Sequence, residues 1–155
     1  MAFTKSEGSA KVAGFTMARA GSNIYILDLE NDKMTFTESV AAVRRLSGKW
    51  PRARAKVVEN KANGPAIVDL LKKEIAERAI SVTPYFEAGN IWFPDPKEAP
   101  WVNDLVRDLL IFPKGTFKDT VDALVQGILY LMDKPSVTGP PQAMDNLTKE
   151  SYWRT

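Results

Sequence analysis

Hydrophobic positions recur with period two near the start of the chain and with helical period after it. Residues 10–18, AKVAGFTMA, are small and apolar with β-branched members; the turn RAGS and then NIYILDLEND follow. There Ile24, Ile26 and Asp28 alternate with Tyr25, Leu27 and Leu29, so the two runs joined at Gly21 predict an antiparallel hairpin. In TFTESVAAVRRLSGKW, Val40, Val43 and Leu46 stand at helical spacing, Thr37 can cap, and Gly48 and Pro51 close the helix. ARAKVVENKANG predicts a short buried strand over Ala55–Glu59. Asn63-Gly64-Pro65 opens a helix that turns Ile67, Leu70 and Leu71 inward, with proline in its first turn.

Between Arg78 and Ala88 the spacing is mixed, and Pro84 argues against a simple helix. IWFP, after Gly89-Asn90, reads as a short edge strand or hairpin arm. Val102, Leu105, Val106 and Leu109 make one face of a helix over Trp101–Leu110. Val121, Leu124, Val125 and Ile128 make the buried face of another, from Thr116 to about Met132. The remainder, DKPSVTGPPQAMDNLTKESYWRT, is polar and proline-rich and is expected to be loose or peripheral. Strands interspersed with helices imply an α/β sheet. The expected organisation is one domain over residues 1–132 and a peripheral tail over 133–155.

Composition narrows the chemistry. The 155 residues contain no cysteine and no histidine, which excludes thiolate nucleophiles, disulfides, thiolate zinc sites, His-metal chemistry and Ser-His-Asp catalysis. Carboxylates, Lys, Tyr, Ser/Thr or a metal held by oxygen ligands remain. No apolar run reaches a membrane span of about 18 residues, and MAFTKSEGSA is not patterned as a signal peptide. The only Gly-Lys pair, Gly48-Lys49, lacks the rest of a phosphate-binding loop. Net charge is +2, but residues 1–78 carry 14 Lys/Arg against 9 Asp/Glu, and residues 79–155 carry 7 against 10. The densest basic run is RRLSGKWPRARAKVVENK. It suits a polyanion partner, and equally a solvated helix end and loop.

Asp119 and Asp122 lie three residues apart at the start of the Thr116 helix, neighbours on one side of it. Asp119 points away from the apolar face and Asp122 flanks it. Asp119 also fits a capping arrangement with Thr116, and an acid in a first turn suits the helix dipole. Glu59 closes AKVVE at the carboxyl end of the expected strand, where open α/β sheets place ligands. It also reads as an exposed strand-end acid paired with Lys61 or an Arg. Together, a strand-end carboxylate and a helix-opening carboxylate are parts of an oxygen-ligand site for Mg²⁺ or Mn²⁺.

Three segments, in order, carry a resemblance. They are Val57-Val58-Glu59-Asn60-Lys61-Ala62-Asn63-Gly64, Glu87-Ala88-Gly89-Asn90-Ile91-Trp92-Phe93-Pro94, and Phe112-Pro113-Lys114-Gly115-Thr116-Phe117-Lys118-Asp119-Thr120-Val121-Asp122-Ala123. With a Trp-led helix between the last two, this pattern resembles the C-terminal nuclease domain of the large terminase subunit of tailed bacteriophages. The resemblance covers about Ala2 to Leu131. It implies a ribonuclease H-like mixed sheet flanked by helices and an endonuclease that cuts concatemeric double-stranded DNA with two divalent cations, Mg²⁺ or Mn²⁺. Glu59 and Asp119 are implied metal ligands, with Asp122 supporting the site or joining the second metal less directly. DNA phosphates would be held by Lys5, Arg52, Arg54, Lys61 and Arg78. Implied partners are duplex DNA and, in a full-length protein with its own ATPase motor, the portal and small terminase subunit, in host cytoplasm at the procapsid.

The chain departs from that family in three places. The first of its tandem acids is Lys118 here. Its leading Asp, which ends the first central strand, would fall at or before Met1, so that strand is expected to lie outside the chain. KKEIAER is shorter than the corresponding family stretch, so a segment after Ile75 is expected to be absent. Two other readings follow: another ribonuclease H-like nuclease, a resolvase or hybrid nuclease, or a catalytically incomplete module that binds DNA or portal.

Overall fold

The computed structural model describes residues 12–53, 55–57, 65–115, 118–135 and 152–154. Two antiparallel strands, β1 (Val12–Ala20) and β2 (Asn23–Asp32), turn at Gly21, whose φ of 59° suits a residue without Cβ. Helix α1 (Phe36–Lys49) follows, then α2 (Pro65–Glu87), β3 (Ile91–Pro94), α3 (Trp101–Ile111), α4 (Lys118–Met132) and β4 (Tyr152–Arg154). The sheet runs β1-β2-β3-β4, with β2 parallel to β3 and the outer pairs antiparallel. The expected α/β class is therefore observed, with a four-stranded mixed sheet. Among the described residues no helix is long and apolar enough to cross a membrane.

A bulge decides which way β2 faces. Met17 pairs with Ile26, but the next residue back, Thr16, pairs with Asp28, so Leu27 is an extra residue on β2. Neighbouring residues of β1 point to opposite faces, so Asp28 lies on the face opposite Ile26. The simple alternation expected for Ile24, Ile26 and Asp28 is broken there. One face carries Ile24, Ile26, Ile91 and Phe93, all fully buried, against Val121, Leu124, Val125 and Ile128 of α4. Met17 belongs to this face: a Cβ on Gly127 would stand 2.6 Å from its sulfur, so α4 reaches β1 closely only because residue 127 is glycine. The other face receives α1, whose Leu46 lies 3.6 Å from where Gly14 would carry a Cβ.

Several local expectations are corrected. Ala55, Lys56 and Val57 are exposed and outside any strand, Val57 being 61% exposed; positions 58–59 lie outside the described residues. Both edges of β2 are already taken, by β1 and by β3 with its two fully buried side chains. IWFP is an interior strand rather than an edge, because β4 pairs along its far side. Within the tail, Tyr152–Arg154 is an ordered edge strand on β3. Thr35, not Thr37, caps α1: its hydroxyl accepts from the Glu38 amide while Glu38 accepts from the Thr35 amide. Thr37 has Val40 three residues on and cannot form that reciprocal pair. The inward side of α1 uses Ala42, and Val43 is exposed.

Helix α2 continues through Pro84, which stands in its last turns. Pro84 deprives the Ile80 carbonyl of a partner, and Ile80 is exposed, so water can serve instead. The helix closes in a Schellman motif: the Asn90 amide donates to the Tyr85 carbonyl and the Gly89 amide to that of Phe86, with Gly89 at φ 68°. EAGN is thus the stop that feeds the buried strand β3.

Candidate functional site

The acidic motif sits where α3 hands over to α4. Helix α3 ends at Ile111, and the amides of Lys114 and Gly115 both donate to the Ile111 carbonyl, closing a tight reversal. Gly115 lies against the Ile111 side chain, 2.9 Å from its Cγ1 and Cδ1 at the position a Cβ would take. Helix α4 begins at Lys118, so Asp119 stands in its first turn, half-buried. Thr116, the possible cap, lies outside the described residues.

The start of α4 is enclosed. Thr120, Val121 and Asp122 are each almost fully buried, although successive side chains diverge by about 100°. β1, α2 and α3 all pack against this helix. Its far end is held by Arg19 of β1, whose guanidinium donates to the carbonyls of Leu131, Met132 and Lys134 at 2.8, 3.1 and 2.7 Å. The Leu131 and Met132 carbonyls belong to the last turn of α4, where acceptors lack the usual helical donor, and the Lys134 carbonyl lies just beyond it.

Asp122 sits inside that enclosure, its side chain 2% exposed. Oδ1 accepts from an Arg78 guanidinium NH₂ at 2.9 Å, and Oδ2 accepts from Gln126 Nε2 at 2.9 Å. Arg78 Nε is buried without a hydrogen bond, so the pair meets at one nitrogen rather than through the full fork. The Thr120 hydroxyl is likewise buried and unbonded. Two residues predicted for different tasks, Arg78 for DNA and Asp122 for metal, are bonded to each other.

Of the other predicted positions, Arg52 is exposed in the turn after α1. Glu59, Lys5, Arg54 and Lys61 lie outside the described residues. Among the described residues no group of three or more acidic, His or Cys side chains is arranged to hold a metal ion. Asp119, half-buried on a rigid helix, fits an oxygen donor to a hard cation; Asp122, with both oxygens engaged, has little surface for a hydrated one.

A second carboxylate was missed as a centre of structure. Asp28 accepts from Lys49 Nζ at 2.7 Å, from Trp50 Nε1 at 2.9 Å and from the Leu29 amide at 3.0 Å, tying the end of α1 to β2. An acid interrupting an apolar strand was the available signal. On the same face, as the parallel register places them, Tyr25 and Trp92 stack with centroids 5.9 Å apart. Comparison of the chain with protein-family profiles, with characterised proteins and with solved structures found no match.

Proposed function

We propose that the chain is a ribonuclease H-like, metal-dependent endonuclease domain of the kind that cuts concatemeric double-stranded DNA during viral packaging. The observation that carries this reading is the ordered set of three segments. In it Asp119 opens a rigid, buried helix directly after the Phe112–Gly115 reversal. Glu59 and Asp119 are hard anionic donors suited to Mg²⁺ or Mn²⁺ and would hold the cations. Such a pair, when bound, supplies a water of lowered pKa and offsets charge on the scissile phosphate. Exposed basic residues such as Arg52 would grip backbone phosphates without reading bases.

The test is a Mn²⁺ titration by calorimetry, followed by cleavage assays on duplex, hybrid and four-way-junction DNA. For cleavage, the chain is extended N-terminally by the strand and Asp that the resemblance implies. Glu59→Ala and Asp119→Ala should each weaken Mn²⁺ binding by more than about 100-fold and abolish duplex cutting. Cleavage confined to hybrid or junction substrates would instead assign another nuclease of this type. A binding module without catalysis is the second reading, favoured by Lys118 in place of an acid and by the engagement of Asp122 with Arg78. Duplex binding with no Mn²⁺ site would select it.

A further inference from the structure

We propose that Asp122 is a positioning residue rather than a metal ligand, and that Arg78, bonded to it, sets the first turn of α4 instead of gripping DNA. The metal arm of this inference rests on the nuclease reading; the structural arm does not. Both carboxylate oxygens are taken, one by the α2 guanidinium and one by Gln126 a turn later, and the group is all but sealed from water. A Mg²⁺ ion keeps most of its water shell and needs an accessible oxygen. Asp119 lies one helical turn before Asp122, half-buried. The far end of α4 is anchored separately, by Arg19 and by the Gly127–Met17 contact. The Arg78–Asp122 bond therefore acts at the end of α4 that carries Asp119.

The two roles predict opposite signs. Arg78 is a positive charge bonded to the helix that carries a cation site, so by Coulomb's law its removal should tighten Mn²⁺ binding. If it positions Asp119 through Asp122, removal should weaken binding by about 10- to 100-fold, as loss of an outer-shell support does. We expect Arg78→Met to weaken Mn²⁺ binding. Arg78→Lys should restore much of it, because the contact uses a single nitrogen. The double variant Arg78→Met/Asp122→Leu, which removes both partners, should still bind Mn²⁺, weakened no further than Arg78→Met, because Asp122 is not itself a ligand.

Tighter binding in Arg78→Met, or a folded double variant with no Mn²⁺ site, would overturn the proposal. Amide exchange supplies the second measurement on the same proteins. Arg78→Met should speed exchange at the amides of α4's first turns while leaving those near Ile128 protected, and Arg78→Lys should reverse most of that change. Uniform acceleration along α4 would count against a local positioning role. If the parent chain binds no Mn²⁺ at all, the nuclease reading fails, and exchange alone decides the role of the pair.

Discussion

Two buried aspartates, on opposite faces of the sheet, are stabilised by the same kinds of group in different degrees of dryness. Asp122 meets an arginine that is 30% exposed; Asp28 meets a lysine that is 64% exposed, with its own side chain 11% exposed. Each also receives one neutral side-chain N–H, from Gln126 and from Trp50. Asp28 gains a backbone amide from Leu29 as well. In the dry pair the carboxylate depends on its cation, because no water can replace it. In the wet pair the lysine is largely solvated and its attraction is screened, so the indole and the amide fix the geometry. The contrast separates an interaction that joins two core helices from one that trims a peripheral one.

Substitutions can break or sharpen that contrast. Arg78→Met should be the most damaging, costing about 3–5 kcal/mol in denaturant unfolding, because it removes the guanidinium bonded to a carboxylate that is all but sealed from water. A loss below about 1 kcal/mol would place the pair with ordinary surface contacts. Next comes Trp50→Phe, expected to cost about 1–2 kcal/mol through the lost indole bond to Asp28. Thr35→Ala should cost about 1 kcal/mol by removing the α1 cap, visible as a lower thermal midpoint. Lys49→Met should cost least, under about 1 kcal/mol, and raising NaCl to about 1 M should erase that difference while leaving the Arg78→Met penalty in place. Equal salt sensitivity of the two variants would remove the distinction between the sites.

Much of the fold was legible in the pattern. The hairpin, the α3 face with Val102 and Leu105, and the α4 face with Val121, Leu124, Val125 and Ile128 follow from periodicity, and Pro65 as a helix start follows from the preference for proline in a first turn. Three things were not. The Leu27 bulge turns Asp28 away from Ile26, and a bulge leaves no periodic trace in one strand read alone. IWFP is interior only because Tyr152–Arg154, far along the chain, pairs with its outer edge. Pro84 argued locally against a helix that the buried packing of Val82 carries through. Of the candidate site, residue types and their order were legible, but the partnership of Arg78 with Asp122 spans 44 positions and has no local signal.

Sequence alone determined the available chemistry and the apolar faces. Without His or Cys only hard oxygen donors are on offer, and apolar spacing commits each helix to one buried side. Tertiary structure decided what each carboxylate does. A carboxylate's role depends on whether water or a fixed donor surrounds it, and that is settled only when distant segments pack: α2 against α4 for Asp122, and the end of α1 against the bulged β2 for Asp28.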